Sequence, residues 1–282
     1  MFEEIYHEYL IHKNEENRKD RYIGNEDWYH ASGAGLCSRK LYYESVEKAE
    51  HTNPPNKKSL RIMGLGTIVH EDIQNALIYY NNIYNNTSHK TKEKKETSSY
   101  KKKSFGDIKF TIEGEVTIPS FKVRGFFDVF SQDFSASTTD PLNRLYDIKT
   151  IGNFQWGKRF SKVNPVESGH HYLQLGTYGL ALKEKYGTID SMSLLYYNKD
   201  NSVMRESIVP LTYMDQAKRY WYSINEEHSK GVPGFRMGTS PANAWVCGYC
   251  DYFDHCKPPA GQSKEPDWKL KRKKKRRLKW EI

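Results

Sequence analysis

The fold class this sequence predicts is mixed α/β: a central sheet flanked by helices. Three observations predict it. Between residues 107 and 151 three segments alternate apolar and polar side chains with the period of strands. Helical patterns lie before and after them, and a hairpin pattern then leads to a last helix, giving the order helix, three strands, helix, strands, helix. The four cysteines frame that series, with Cys37 alone upstream and Cys247, Cys250 and Cys256 downstream as C-x2-C-x5-C. A lone cysteine and a distant triplet read as one four-thiolate metal site that ties the ends of a closed domain together.

Each element has its own signal. Residues 1–60 read as helical pieces interrupted by HTNPPNKK, with its paired prolines. A helix follows over LGTIVHEDIQNALIYYNNIY, with Thr67 as its cap and Val69, Ile73, Ala76, Leu77 and Tyr80 as its buried face. The Asn-, Thr-, Ser- and Lys-rich stretch 85–103 reads as a mobile loop. DIKFTIEGEVTI, FKVRGFFDVF and RLYDIKTI are the three strands; GHHYLQLGTYGLALKEKYG is a helix. SMSLLYYNKDNSVMRESIVPL is a hairpin turning at Lys199-Asp200-Asn201, and TYMDQAKRYWYSINEEHSKG is the last helix. The domain reading is an N-terminal helical segment 1–60, a core 61–230, a cysteine-bearing segment 231–260 and a disordered basic tail 261–282.

Composition narrows the function classes. A chain of 282 residues can bury a sizeable core. It has no apolar run of the length a membrane span needs, and its first residues are unlike a secretory signal. The expected setting is the cytoplasm of a microbial or virus-infected cell, with no membrane partner. Four cysteines in a reducing compartment favour metal over disulfides. Ten Lys/Arg against three acids from Lys264 to Ile282 supply +7 of the formal +9. That run, with Lys271, Arg272, Lys273, Lys274, Lys275, Arg276 and Arg277 at its centre, can neutralise phosphates and attract nucleic acid. Charge alone gives a solubilising tail equal standing.

Asp147-Ile148-Lys149 is the chemical centre. On a strand, residues two apart share a face, so Asp147 and Lys149 stand together while Ile148 faces the opposite layer. A carboxylate that holds a hard cation, beside an ammonium that orients water, suits phosphodiester hydrolysis. Asp107-Ile108-Lys109 has the same three letters but no neighbouring acid, and reads as a decoy. Asp128, bracketed by Phe127 and Val129, is costly in an apolar setting without a cation. His70 borders the buried face of its helix. A lone histidine there is more often a packing residue, but with two carboxylates available it reads as a ligand, favouring Mn2+ or Mg2+. Gln174 and Tyr178 lie one helical turn apart, and Gly176 and Gly179 on that helix point to close packing against the sheet.

The ordered set His70, Gly125-x-x-Asp128, Asp147-x-Lys149 and Gln174-x-x-x-Tyr178 resembles the RecB-type branch of the PD-(D/E)XK nucleases. The cysteines resemble its iron–sulfur subset, which includes the CRISPR-associated RecB-like exonucleases, AddB and exonuclease V. The resemblance spans Cys37 to Cys256 and implies a restriction-endonuclease-like mixed sheet. It implies that His70, Asp128, Asp147 and the Ile148 carbonyl bind the catalytic Mn2+ or Mg2+, that Lys149 is the catalytic lysine, and that Gln174 and Tyr178 support DNA and site. Glu115 corresponds to an accessory acid, with Glu113 two residues away as the alternative. Cys37, Cys247, Cys250 and Cys256 would ligate a [4Fe-4S] cluster. On spacing alone Zn2+ and iron–sulfur are nearly even; the resemblance favours the cluster, in a structural role.

The function so implied is a metal-dependent deoxyribonuclease, an exonuclease acting on DNA ends or single strands in recombination, repair or DNA processing. The alternatives are a DNA-binding adaptor of a recombination or repair complex and a structure-selective endonuclease. The sequence has no helicase P-loop, so any helicase or recombination motor would be a separate chain.

Overall fold

The structure, a computed structural model, describes residues 1–22, 27–84, 107–163, 165 and 168–256. The loop at 85–103, the basic tail and its Lys271–Arg277 run lie outside the described residues. The chain divides into two compact units. One comprises His30–Ala34 and Ile62–Tyr220; the other comprises Met1–Tyr29, Gly35–Arg61 and Trp221–Ile282.

The first of these units carries the sheet. Strands β2 (Ile108–Ile118), β3 (Val123–Asp133), β4 (Leu142–Ile151), β5 (Ser191–Asn198) and β6 (Met204–Val209) follow a two-residue β1 (Tyr29–His30). The order is β1-β3-β4-β5-β6, with β2 also paired to β3. β2 runs antiparallel along β3 from Ile108↔Asp133 to Ile118↔Val123, so β1 and β4 share the other edge of β3. β4 and β5 are parallel and the remaining long pairs are antiparallel. The parallel connection runs through helices α4 (Asn153–Arg159) and α5 (Gly169–Tyr186), as a crossover requires. The sheet is therefore mixed, and α5 packs on it. Phe130, Leu145, Ile148, Leu175, Leu182, Met192 and Leu194 form a core with at most 1% exposure each.

The long α3 (Lys57–Tyr84) starts well before Leu65. Its cap is Asn56, whose Oδ1 accepts the Ser59 N–H at 3.0 Å just after the paired prolines. Thr67, expected to cap it, lies inside the helix with its hydroxyl on the Met63 carbonyl. Ala76, expected on the buried face, is exposed, while Gln74 is buried there. α4 escaped the sequence reading, being only seven residues long and carrying a central glycine.

The second unit gathers α1 (Phe2–Tyr22), α2 (Ser38–Ser45), the last turns of α6 (Thr212–Ser229) and two 3-10 segments, Met237–Thr239 and Pro241–Tyr249. Tyr29 stacks on Trp221 and its hydroxyl meets His228 Nδ1 at 2.8 Å. Tyr42 packs edge-on against the same histidine. The stretch 38–53 is laced to 231–256 by hydrogen bonds. Arg39 Nε donates to the Gly234 carbonyl, Tyr42 to Gly231, Tyr43 to His255, and the Thr52 and Asn53 amides to Asp251. No described helix is long and apolar enough to cross a membrane.

Candidate functional site

β4 lies between β3 and β5, and its residues alternate as the sequence requires. Ile148 is fully buried, whereas Asp147 and Lys149 belong to the layer reached by α5. The β3–β4 ladder stops at Val129↔Tyr146. One step beyond, the Ile148 N–H donates to Asp128 Oδ2 at 2.6 Å, so a side-chain carboxylate takes up an amide that the ladder leaves over. Gly125, three residues earlier, makes room for α5. A Cβ there would lie 2.8 Å from the Tyr178 ring and 2.7 Å from Ala31 Cβ. That close approach is the physical content of the Gly-x-x-Asp spacing.

The side chains form a connected chain. Lys149 Nζ stands 2.5 Å from Asp147 Oδ2 and donates to Gln174 Oε1 at 3.1 Å. The Gln174 amide donates to the Tyr178 hydroxyl at 3.0 Å and, more weakly, to Asp147 Oδ1 at 3.4 Å. Gln174 thus uses both ends of its amide to hold the ammonium and the carboxylate in one geometry. His70 on α3 brings Nδ1 to 3.7 Å from Asp128 Oδ2. The structure therefore brings together His70, Asp128, Asp147, Lys149, Gln174 and Tyr178, which are scattered over more than a hundred residues of sequence. Asp107, the decoy, is exposed, as is Lys109.

The electrostatics are those of a site short of positive charge. Burial, and then the nearby Asp147 carboxylate, push the Asp128 carboxyl up to about 8 despite Lys149 and the Ile148 N–H. Burial and the Lys149 charge hold the His70 imidazole below its ordinary value, so it is a neutral donor at neutral pH. Asp147 is 1% exposed, and its Oδ2, though next to the ammonium, has no hydrogen bond of normal geometry. Two close carboxylates, one with an orphaned buried oxygen, together with a neutral imidazole are the donor set a hard divalent cation fits. Among the described residues, no three His, Cys, Asp or Glu side chains already stand gathered as a metal group, here or at the cysteines.

No protein-family model and no curated protein matches the sequence. Solved structures do resemble the chain. The crystal structure of SSO0001 aligns at 19% identity over 91% of this chain and 96% of that one, with a TM-score of 0.49. An alkaline exonuclease (LHK-Exo) from Laribacter hongkongensis aligns at 11% identity over 76% of this chain and 93% of its own, with a TM-score of 0.45.

Glu115 is not brought into the cluster. It pairs with Arg124 Nε at 2.7 Å, across the hairpin. Glu113 falls where the β2–β3 register is interrupted, between Ile112↔Val129 and Gly114↔Phe127, and its charge acts on both Asp128 and His70. Its backbone sits in the left-handed region at φ 49°, unusual for a glutamate within a strand. Glu113 was the alternative to Glu115 on the strand face; nothing in strand periodicity signals a left-handed residue. Two further groups were missed. Gln74, one turn after His70, is 4% exposed with Nε2 lacking a hydrogen-bond partner. The spacing of four from His70 was the available signal. His171, one turn before Gln174, is pushed down to about 2 by burial and the charge of Lys149, and meets the Tyr196 hydroxyl at 3.4 Å.

The four cysteines all lie in the second unit and are free thiols. Cys37 caps α2 and its sulfur accepts the Met237 N–H at 3.5 Å. Burial raises the Cys250 thiol to about 11 and raises that of Cys256, and the charge of Cys37 acts on both. Lys40 acts on Cys250, and Arg236 and Arg39 on Cys256, in the direction that favours thiolate. Four thiols in one unit with cations beside them fit, in chemistry, a thiolate-held anionic group.

Proposed function

We propose that this protein is a divalent-metal-dependent deoxyribonuclease of the RecB-like PD-(D/E)XK type, acting as an exonuclease on DNA ends or single strands. The observation that carries the reading is the linked set Asp147–Lys149–Gln174–Tyr178 beside Asp128, which takes the Ile148 N–H and has His70 at its edge. Hydrolysing a phosphodiester requires positive charge near the phosphoryl oxygens, a positioned water and a way to hold both.

Lys149 supplies a fixed ammonium, and Gln174 and Asp147 prevent it from swinging to solvent. Tyr178 fixes the Gln174 amide and so its orientation. His70, Asp128 and Asp147, with the Ile148 carbonyl, would hold Mn2+ or Mg2+, which supplies an acidified water and charge stabilisation at the phosphate. Asp128, whose carboxyl is raised by burial and by Asp147, would have to release its proton to serve as a ligand. The cysteines support a [4Fe-4S] cluster reading, structural in role, with Arg39, Lys40 and Arg236 offsetting its charge.

Cleavage of end-labelled linear DNA and of closed circular single-stranded DNA, with Mn2+ or Mg2+, tests the reading. Mononucleotide release from linear DNA that fails for Lys149→Ala supports it. Undiminished cleavage by Lys149→Ala rejects the site. Cleavage of the circle reassigns the enzyme as an endonuclease.

A further inference from the structure

Helix α4 takes no part in the cluster above, yet it begins just after Lys149 in the chain. From Ile148 to Val166 the sequence has no acidic residue. It carries Lys158, Arg159 and Lys162 interleaved with Phe154, Trp156 and Phe160. Cations spaced among aromatics are the pattern of single-strand binding, where bases stack and lysines meet phosphates.

The structure gives this pattern a shape. Phe154 is 75% exposed, an unusual position for a large apolar ring. Lys158, one turn on, places Nζ 4.3 Å over that ring. Gly157 lies on the same helical face as both, and a Cβ added there would meet nothing within 4 Å. A glycine inside a helix costs helicity, and no described residue fills the space it leaves open.

The helix is pinned at both ends. Its first amide, Asn153 N–H, donates to Asp200 Oδ2 at 2.6 Å, and fully buried Asn198 holds the Asn153 side chain at 2.8 Å. At its other end Arg159, 8% exposed, donates to the Tyr172 hydroxyl and to Ser207 Oγ. An exposed ring on a clamped helix is a preorganised platform, so a ligand that stacks there pays little ordering entropy.

We propose that the Phe154–Gly157–Lys158 face of α4 is a base-stacking subsite for a single-stranded polynucleotide. A nucleobase lies on the Phe154 ring in the space left by Gly157, and Lys158 turns from the ring to the adjacent phosphate. The five-residue path from Lys149 to Phe154 spans at most about 18 Å, so a strand held here passes within a few nucleotides of the cluster. That last clause rests on the nuclease reading. Bases in a duplex have their faces covered, so the subsite selects single strands. DNA and RNA share this chemistry, and the two are separated by experiment.

Fluorescence anisotropy of the full-length protein in chelator tests the proposal. Labelled single-stranded DNA, single-stranded RNA and blunt duplex are titrated at raised salt, which suppresses the contribution of the basic tail. Phe154→Ala is expected to weaken single-strand binding about tenfold or more and leave duplex binding unchanged. Phe154→Trp should retain it. Gly157→Ala should weaken it severalfold with an unchanged or raised Tm, an outcome that a purely structural role does not give. Lys158→Ala should lower the salt dependence by about one phosphate contact. The strand type whose binding falls with Phe154→Ala names the substrate.

Wild-type affinity of Phe154→Ala for both single strands, or equal loss on duplex, overturns the subsite. The nuclease reading is judged separately. If the wild type cleaves no nucleic acid in Mn2+ or Mg2+ while Phe154→Ala still loses single-strand binding, the subsite stands and the nuclease reading falls.

Discussion

Asp147, Lys149 and Gln174 are held so that each fixes the other two, with Lys149 2.5 Å from Asp147 and 3.1 Å from Gln174. Gln174 touches reactive groups and is one step removed from substrate. Gln174→Ala is therefore expected to lower kcat about 10–100-fold, the range for residues that orient a metal or its ligands. Steady-state cleavage rates check it, and Tyr178→Phe should have the smaller effect. Asp128 makes the metal-free fold sensitive to pH. Its carboxyl is pushed up to about 8 from 3.8, mainly by burial. The folded chain thus holds a proton that the unfolded chain has released. Between pH 4 and 8 the unfolded state binds fewer protons, so this group's contribution to stability is present at pH 4 and lost as pH rises through 8. Thermal melts in chelator should show Asp128→Asn gaining stability over the wild type as pH rises from 5 to 8. Saturating Mn2+ should raise the wild-type Tm at pH 8 and leave that of Asp128→Asn nearly unchanged. The pairing of Asp147 with Lys149 was legible because strands repeat every two residues. The pairing of Glu115 with Arg124 and the left-handed backbone of Glu113 were not, because neither is revealed by strand periodicity.

At the scale of elements, α5 is the part that must be seated correctly, since Gln174 and Tyr178 both hang from it. Gly176 lets it lie against the start of α6, where a Cβ would fall 2.3 Å from the Tyr213 carbonyl oxygen. Backbone cannot yield there as a side chain can. Gly176→Ala is expected to cost about 1–3 kcal/mol by overpacking and to lower cleavage with it. Gly169→Ala on the same helix meets nothing within 4 Å and should be neutral or stabilising. Denaturant midpoints separate the two. The sequence marked Gly176 as a packing residue but assigned the contact to the sheet; the carbonyl it meets belongs to the first turn of α6, which no local pattern links to α5. The strands were read within a few residues because their apolar alternation is clean. The start of α3 was misplaced because Thr67 reads as a cap, whereas Asn56 behind two prolines supplies it.

At the scale of the molecule, the chain leaves one compact unit, builds the sheet and returns, so Cys37 meets the neighbourhood of the C-terminal triplet within the unit that holds both. The spacing of the cysteines made that return legible. Whether they hold a metal, and which, was not, since thiols with cations nearby suit more than one. Anaerobically purified protein is expected to be brown with about four irons per chain, and Cys256→Ser to be colourless with a lower Tm. A colourless wild-type protein loaded with zinc would contradict the cluster. The candidate site stands in the other unit, on two strands and two helices that carry none of those cysteines. The most direct measurement of the central claim is therefore cleavage of 5′-labelled single-stranded DNA by wild type and Asp147→Asn, in parallel, in chelator and in Mn2+. The expected result is cleavage by the wild type in Mn2+ alone and none by Asp147→Asn. Equal cleavage by the two proteins, or cleavage that persists in chelator, would contradict it.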